Sequence, residues 1–157
     1  MGAMRAAWLF GPLFLLCFFM SSGIAREQLP ATLAGVSLIS AKEVAALPPS
    51  AKLVDVRPIH DHFSARIPNS LHISYREHSA RSAAFDSSLD EVDVFLKRLH
   101  KFVPNKDALV VMYCNGLQCW KSYKASTAAI KDGYRRISWF RGGIVEWEAQ
   151  GFAVQSD

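Results

Sequence analysis

DALVVMYCNGLQCWKSYKASTAAI, residues 107–130, is the stretch whose reading decides the fold. Ala108 to Tyr113 is an apolar run with the length and β-branched content of a strand buried on both faces. Trp120, Tyr123, Thr127 and Ile130 then recur at helical spacing, so a helix is expected from about Trp120. Between them lies a loop, Cys114 to Cys119, with a cysteine at each end and Gly116 inside. A thiol at the carboxyl end of a strand, facing the start of a helix, sits near the positive end of the helix dipole. Loop N–H groups can converge on it as an anion nest, and both effects favour the thiolate, which is the nucleophile. Cys114 is therefore the expected nucleophile.

Outward from this unit, Val36 to Ile39, Lys52 to Val56, Leu71 to Ser74 and Arg136 to Phe140 read as further short strands. Ser40 with Glu43 forms a capping box that opens a short helix, stopped by Pro48-Pro49. Ser88 with Glu91 forms a second box, leading Leu89, Val92, Phe95, Leu96 and Leu99 along one helical face. Gly142-Gly143 turns into a final helix carrying Ile144 and Trp147. His60 to Ser70 reads as loop or brief helix, and Tyr75 to Ser87 as polar chain without periodicity. Strands alternating with helical patterns imply an α/β architecture with a mostly parallel sheet. In such sheets ligands bind outside the carboxyl ends of the strands, where Cys114 falls.

The first residues carry a different signal. Arg5 precedes an apolar run from Ala6 to Met20, and small residues follow at Gly23 and Ala25, the pattern of a secretory leader cleaved after Ala25. The run is interrupted by Gly11-Pro12 and is shorter than the roughly 20 residues that a spanning helix needs. Cys17 is followed by two phenylalanines rather than by small residues, so a lipidated cysteine is not expected. This gives residues 1–25 as signal peptide, 26–35 as an aperiodic lead-in containing Pro30, and 36–157 as one domain. The expected location is the periplasm, with no membrane attachment after cleavage. The formal net charge is +4, one of those charges being Arg5. With no basic run or interleaved aromatics, nucleic acid is not an expected partner; a small anion is. Cys114 and Cys119 remain as an even pair where disulfides are permitted, so a structural bridge is an open alternative. Across so short a loop it would contribute less than about 3 kcal/mol.

LVDVRP at 53–58, ARIPNSLHI at 65–73, the strand entering the cysteine loop at 108–119 and FRGGIVEWEAQGFAV at 140–154 occur in that order. Together they resemble a single rhodanese-like domain across nearly the whole mature chain. The resemblance implies a five-stranded, mainly parallel sheet flanked by helices on both faces. It also implies a cysteine that takes up a sulfane sulfur as a persulfide and passes it to a thiophilic acceptor. The implied partners are a small sulfur anion such as thiosulfate or polysulfide, a thiol acceptor and a periplasmic redox partner, with no cofactor. Two positions depart from the family pattern. In the turn Arg66-Ile67-Pro68-Asn69-Ser70 the usual His and Gly are replaced, though Asn69 can adopt the left-handed conformation. The loop ends in Cys119-Trp120, which resembles the periplasmic CXXCW-motif group associated with pyrroloquinoline-quinone-dependent alcohol catabolism, here with four residues between the cysteines.

The candidate site follows. Cys114 attacks the donor; Cys119 is either a resolving thiol or a small residue packed at the helix start. Asn115, Leu117 and Gln118 supply backbone N–H groups, while Gly116 either allows the positive φ of a tightly curled loop or is an ordinary turn glycine. Lys121 attracts the anion and favours the thiolate. Trp120 either stacks over substrate or belongs to the core. Its place is where a tyrosine-phosphatase loop carries a phosphate-clamping Arg, which disfavours that chemistry. Asp55 and Arg57 resemble the family's acidic-basic pair, which steadies the adjacent loops or else contacts substrate; Arg141, at the same sheet edge as Cys114, either draws in an anion or is a solvated turn arginine. His60-Asp61-His62 lacks a third placed ligand, and His72 and His78 have less support, so no metal is expected. Three functions stay open: a sulfurtransferase, a thiol-disulfide relay through Cys114 and Cys119, and a non-catalytic binding module.

Overall fold

A computed structural model describes residues 27–157, so the leader read at residues 1–25 lies outside the described residues. In chain order the elements are β1 (Ser37–Leu38), α1 (Ala41–Ala45), β2 (Lys52–Asp55), α2 (Ile59–Ser64), β3 (Leu71–His72), α3 (Val92–Phe102), β4 (Val110–Tyr113), α4 (Trp120–Lys131), β5 (Ile137–Phe140) and α5 (Gly143–Ala149). The strands form one sheet in the order β1-β5-β4-β2-β3, and every pairing is parallel. This is the α/β layering that the alternation of strands and helices implied.

β4 is central, and its four residues are all buried, as a parallel strand covered on both faces requires. Its side chains alternate. Val110 and Met112 join Phe95, Leu99, Ala125 and Ala129 beneath α3 and α4. Val111 and Tyr113 join Ala41, Val44, Ile144 and Trp147 beneath α1 and α5. Cys114, the next residue, falls by the same alternation on the α3–α4 face, where it is buried.

The capping box at Ser40 forms as read. Ser40 Oγ accepts from the Glu43 N–H at 3.4 Å, and Glu43 Oε2 accepts from the Ser40 N–H at 2.8 Å. Asn69 takes φ 63°, so the turn is kept without glycine.

Two local readings are corrected. The box at Ser88 does not form: Asp86 Oδ1 accepts from both the N–H and the hydroxyl of Ser88, at 2.9 and 2.6 Å. This short-range turn outcompetes the helix start. Helix α3 begins at Val92, and Leu89 stays 58% exposed off its apolar face. The lead-in, aperiodic in sequence and so expected to hang free, is packed from residue 27 onward. Leu29 is buried against Trp120, Tyr123 and Trp139, and its carbonyl accepts from Arg141 Nη2 at 3.2 Å. One large apolar side chain meeting an aromatic trio is enough to hold it down.

Candidate active site

The cysteine loop is held from two directions. Within it, the N–H of Cys119 donates to the Gly116 carbonyl at 2.9 Å, closing a turn in which Gly116 is an ordinary turn glycine without the positive φ expected of it. From outside, the start of α5 reaches back: the Ile144 N–H donates to the Cys114 carbonyl at 3.0 Å and the Val145 N–H to the Asn115 carbonyl at 3.1 Å. This approach depends on Gly143. It has φ 59°, and a Cβ there would lie 2.9 Å from the Asn115 carbonyl carbon and closer still to the Cys114 oxygen. Glycine is the residue that fits both demands. Glu146 Oε1 accepts from the Ala41 N–H at 2.9 Å, tying α5 to the start of α1.

Cys114 and Cys119 are joined in a disulfide, with their Cα atoms 6.2 Å apart. The oxidation state that the sequence left open is thus the bridged one in this structure. Cys119 is the residue immediately before α4, so the sulfur pair lies at the positive end of a twelve-residue helix. Only one of the two cysteines faces open space: Cys119 lines a cleft of about 680 Å³, while Cys114 is buried behind it.

That cleft has three walls. The loop Asn115–Cys119 with Trp120 and Lys121 makes the first, α5 with Gly142, Val145, Glu146 and Ala149 the second, and Glu77 with Arg81 the third. Leu117 and Val145 stand at it more than half exposed, giving it an apolar rim. Trp120 serves both of its readings, being core against Tyr123 and Trp139 and also lining the cleft.

Two of the cleft's four charged residues, Glu77 and Arg81, come from the segment that lacked periodicity. Glu77 Oε1 accepts from Arg81 Nε at 3.2 Å and lies 3.5 Å from Lys121 Nζ. Its Oε2 is 3.5 Å from Lys124 Nζ and, among the described residues, has no hydrogen-bond donor. Lys124 is fully buried, which is rare for lysine. It donates to Ser79 Oγ at 2.9 Å and lies 3.6 Å from Asp90 Oδ2. Asp90 accepts from Tyr75 Oη at 2.8 Å and from the N–H groups of His78 and Ser79 at 2.7 and 2.8 Å. Burial alone would raise its pKa, but these donors outweigh burial and hold it below the ordinary carboxylate range. Burial and the adjacent Asp90 push the Tyr75 hydroxyl up. The segment from Tyr75 to Glu91 is therefore folded onto α4 around a buried charge, and it delivers Glu77 and Arg81 to the cleft.

Asp55 and Arg57 do not line the cleft. They form a buried pair, with Arg57 Nη2 2.7 Å from Asp55 Oδ2, that also holds His62 Nδ1 and Tyr113 Oη, each 2.9 Å from Asp55 Oδ2. Arg57 Nη2 donates onward to the Ala65 carbonyl. Burial would raise the Asp55 pKa, but the bonds and charge of Arg57, with His62, hold it below the usual carboxylate value. His62, part of the motif rejected as a metal site, is thus the partner of a carboxylate. Arg141 turns away from the cysteine cleft toward Leu29 and lines an adjoining hollow with Leu117 and Gly142. Glu77, Arg81, Val145 and Glu146 were not legible as site residues, since no spacing in the sequence connects them to Cys114.

A family model described as a rhodanese-like domain matches residues 40–150. No curated protein sequence matches the chain. Among solved structures, the BH2092 protein of Bacillus halodurans is similar at TM-score 0.58 and 18% identity, covering 76% of this chain and 77% of that one. The thiosulfate sulfurtransferase of Pseudomonas aeruginosa is similar at TM-score 0.58 and 17% identity, over 77% of this chain and 20% of that one. SseA of Escherichia coli, a 3-mercaptopyruvate sulfotransferase, is similar at TM-score 0.61 and 15% identity, over 77% of this chain and 52% of that one.

Proposed function

The chain belongs to the rhodanese-like domain family, and from that premise we propose that it is a sulfurtransferase working through a Cys114 persulfide, gated by the disulfide to Cys119. The observation that carries this reading is the placement of the pair. Cys114 directly follows the central strand, and Cys119, which directly precedes α4, is the member that lines the cleft.

The cycle begins with reduction. A thiolate entering the cleft meets Cys119 Sγ, forms a mixed disulfide there and expels Cys114 as thiolate; a second thiolate then frees Cys119 and leaves as the disulfide of the reductant. Cys114 thiolate attacks the outer sulfur of thiosulfate, breaking its S–S bond, so that sulfite departs and Cys114 keeps the sulfur as a persulfide. An acceptor thiolate takes that outer sulfur and returns Cys114 to thiolate. Alternatively, Cys119 thiolate attacks the inner sulfur, expels hydrosulfide and restores the disulfide, so each such turnover consumes one reducing pair. Lys121 at the cleft favours anionic donors, and the helix end favours both thiolate and persulfide anions. The disulfide also supports a second reading, a thiol-disulfide relay that cycles the two cysteines without carrying sulfur.

Export belongs to the same proposal: the leader pattern at residues 1–25 supports a periplasmic protein cleaved after Ala25. The CNGLQCW loop supports a place beside quinone-dependent alcohol oxidation, with a periplasmic dithiol as reductant.

Intact mass of the mature protein tests this, before and after reduction and then thiosulfate, beside Cys114→Ser and Cys119→Ser. The reading expects a gain of about 32 Da after reduction that Cys119→Ser keeps and Cys114→Ser loses. A mass about 2 Da below the reduced chain, with no sulfur uptake after reduction, would make the protein a relay. No change of either kind would leave a binding module.

A further inference from the structure

A second cavity, of about 340 Å³, lies beside the cysteine cleft and shares Lys121 with it. It opens at the carboxyl ends of β2 and β3, the sheet edge where ligands of parallel sheets bind. Its charged or titratable lining is Arg76, Arg98, Lys121, His72 and Tyr75, whose hydroxyl is engaged by Asp90, with Ser74 among them and no carboxylate. The counter-charges stand to the side. Arg76 meets Glu91 at 3.4 Å and Lys121 meets Glu77 at 3.5 Å, each a single long contact. Arg98 has no carboxylate partner among the described residues.

Like charges gathered at one opening repel unless an anion joins them. Guanidinium groups carry five donors each, so one long contact leaves most of them free for a ligand. His72 is held in place from behind, Nε2 3.0 Å from the Arg57 carbonyl and the ring 4.7 Å from that of His62. The wall is therefore anchored to the buried Asp55–Arg57 pair and is part of the fold.

We propose that this cavity is a binding site for a small doubly charged oxyanion of the sulfate class, set one residue wall from the cysteine loop. Binding follows from charge and shape alone. Its role, to receive a thiosulfate-type donor before transfer and the sulfite left afterwards, rests on the sulfurtransferase reading above.

Two arms keep these apart. In the first, sulfate is titrated into the oxidised protein, which does no sulfur chemistry, at ionic strength held constant with chloride. Amide shifts or calorimetry should show saturable binding that weakens as salt rises. Arg98→Ala should weaken it about fivefold and Arg76→Ala/Arg98→Ala should abolish it, whereas Lys42→Ala on α1 should leave it intact. Absence of saturable binding, or binding that survives the double variant, overturns the site. In the second arm, thiosulfate turnover by the reduced protein should show kcat/KM about fivefold lower in Arg98→Ala. Wild-type protein that binds sulfate but takes up no sulfur keeps the oxyanion site and removes its role. Turnover unaffected by Arg98→Ala, although sulfate binding is weakened, also removes the role.

Discussion

Replacing Gly143 with alanine should damage the protein at the cysteine loop, by an amount that the geometry sets. At φ 59° an alanine costs about 1 kcal/mol relative to glycine. Its Cβ would stand 2.9 Å from the Asn115 carbonyl carbon, where ordinary contact begins at 3.4 Å, and nearer still to the Cys114 oxygen. Both atoms are backbone, so the loop must withdraw as a unit. Withdrawal weakens two hydrogen bonds, from Ile144 to Cys114 and from Val145 to Asn115, each contributing about 1 kcal/mol. The expected loss is about 3 kcal/mol, a large share of the roughly 5–15 kcal/mol typical of a domain. Gly151→Ala supplies the control. It has φ 77°, and a methyl group added there would meet no atom within 4 Å, so only the backbone cost of about 1 kcal/mol applies. Urea denaturation of both variants in the oxidised state measures the difference through the midpoints at equal slope. The loop displacement should also speed reduction of the Cys114–Cys119 bond by a small dithiol. A Gly143→Ala protein within about 0.5 kcal/mol of Gly151→Ala, with unchanged reduction kinetics, would refute the claim that this contact holds the loop.

The buried pair gives a second expectation: Asp55→Asn should cost about 3–5 kcal/mol at neutral pH, because Arg57 is left charged and unpaired. Since the folded Asp55 pKa lies below the unfolded value of about 3.9, its contribution is complete above the unfolded value and is lost as pH falls from there through the lower folded one. Acid unfolding followed by circular dichroism should accordingly be shallower in Asp55→Asn over about pH 5 to 2, and an identical acid limb would count against the pair. Lys124→Met should free the segment from Tyr75 to Glu91, since Glu77 and Asp90 then face each other without their buried cation. Hydrogen exchange at the His78 and Ser79 amides, which donate to Asp90, should accelerate at least about tenfold; unchanged exchange would show that the segment is held by something else.

Much of the site was legible because its frame is local. The run Val110–Tyr113 followed by Trp120–Lys131 places Cys114 between the end of a buried strand and the start of a helix by local pattern alone. The Ser40 capping box was readable for the same reason, its two bonds joining residues three apart. The equally regular pattern at Ser88 failed because Asp86, two residues before it, takes the Ser88 N–H that the box would give to Glu91, and the Glu91 N–H goes to the Arg76 carbonyl instead. Glu77 and Arg81 were illegible: they sit in an aperiodic polar stretch that is tied down by distant partners, among them the buried Lys124 on α4 and the aromatic cluster that takes Phe85.

The sequence by itself determined the parallel α/β order of elements, the cysteine at the carboxyl edge of the sheet and the family motifs around it. These depend on side-chain periodicity and on bonds spanning a few residues, which the chain spells out in order. Only the tertiary structure decided that Cys119 rather than Cys114 faces the cleft, that the two are bridged, that Leu29 binds the lead-in down and that four basic groups meet at one opening. Those outcomes depend on which distant positions are brought face to face. Burial makes such meetings decisive, because a charge or an apolar group removed from water must find its partner wherever the fold has put one.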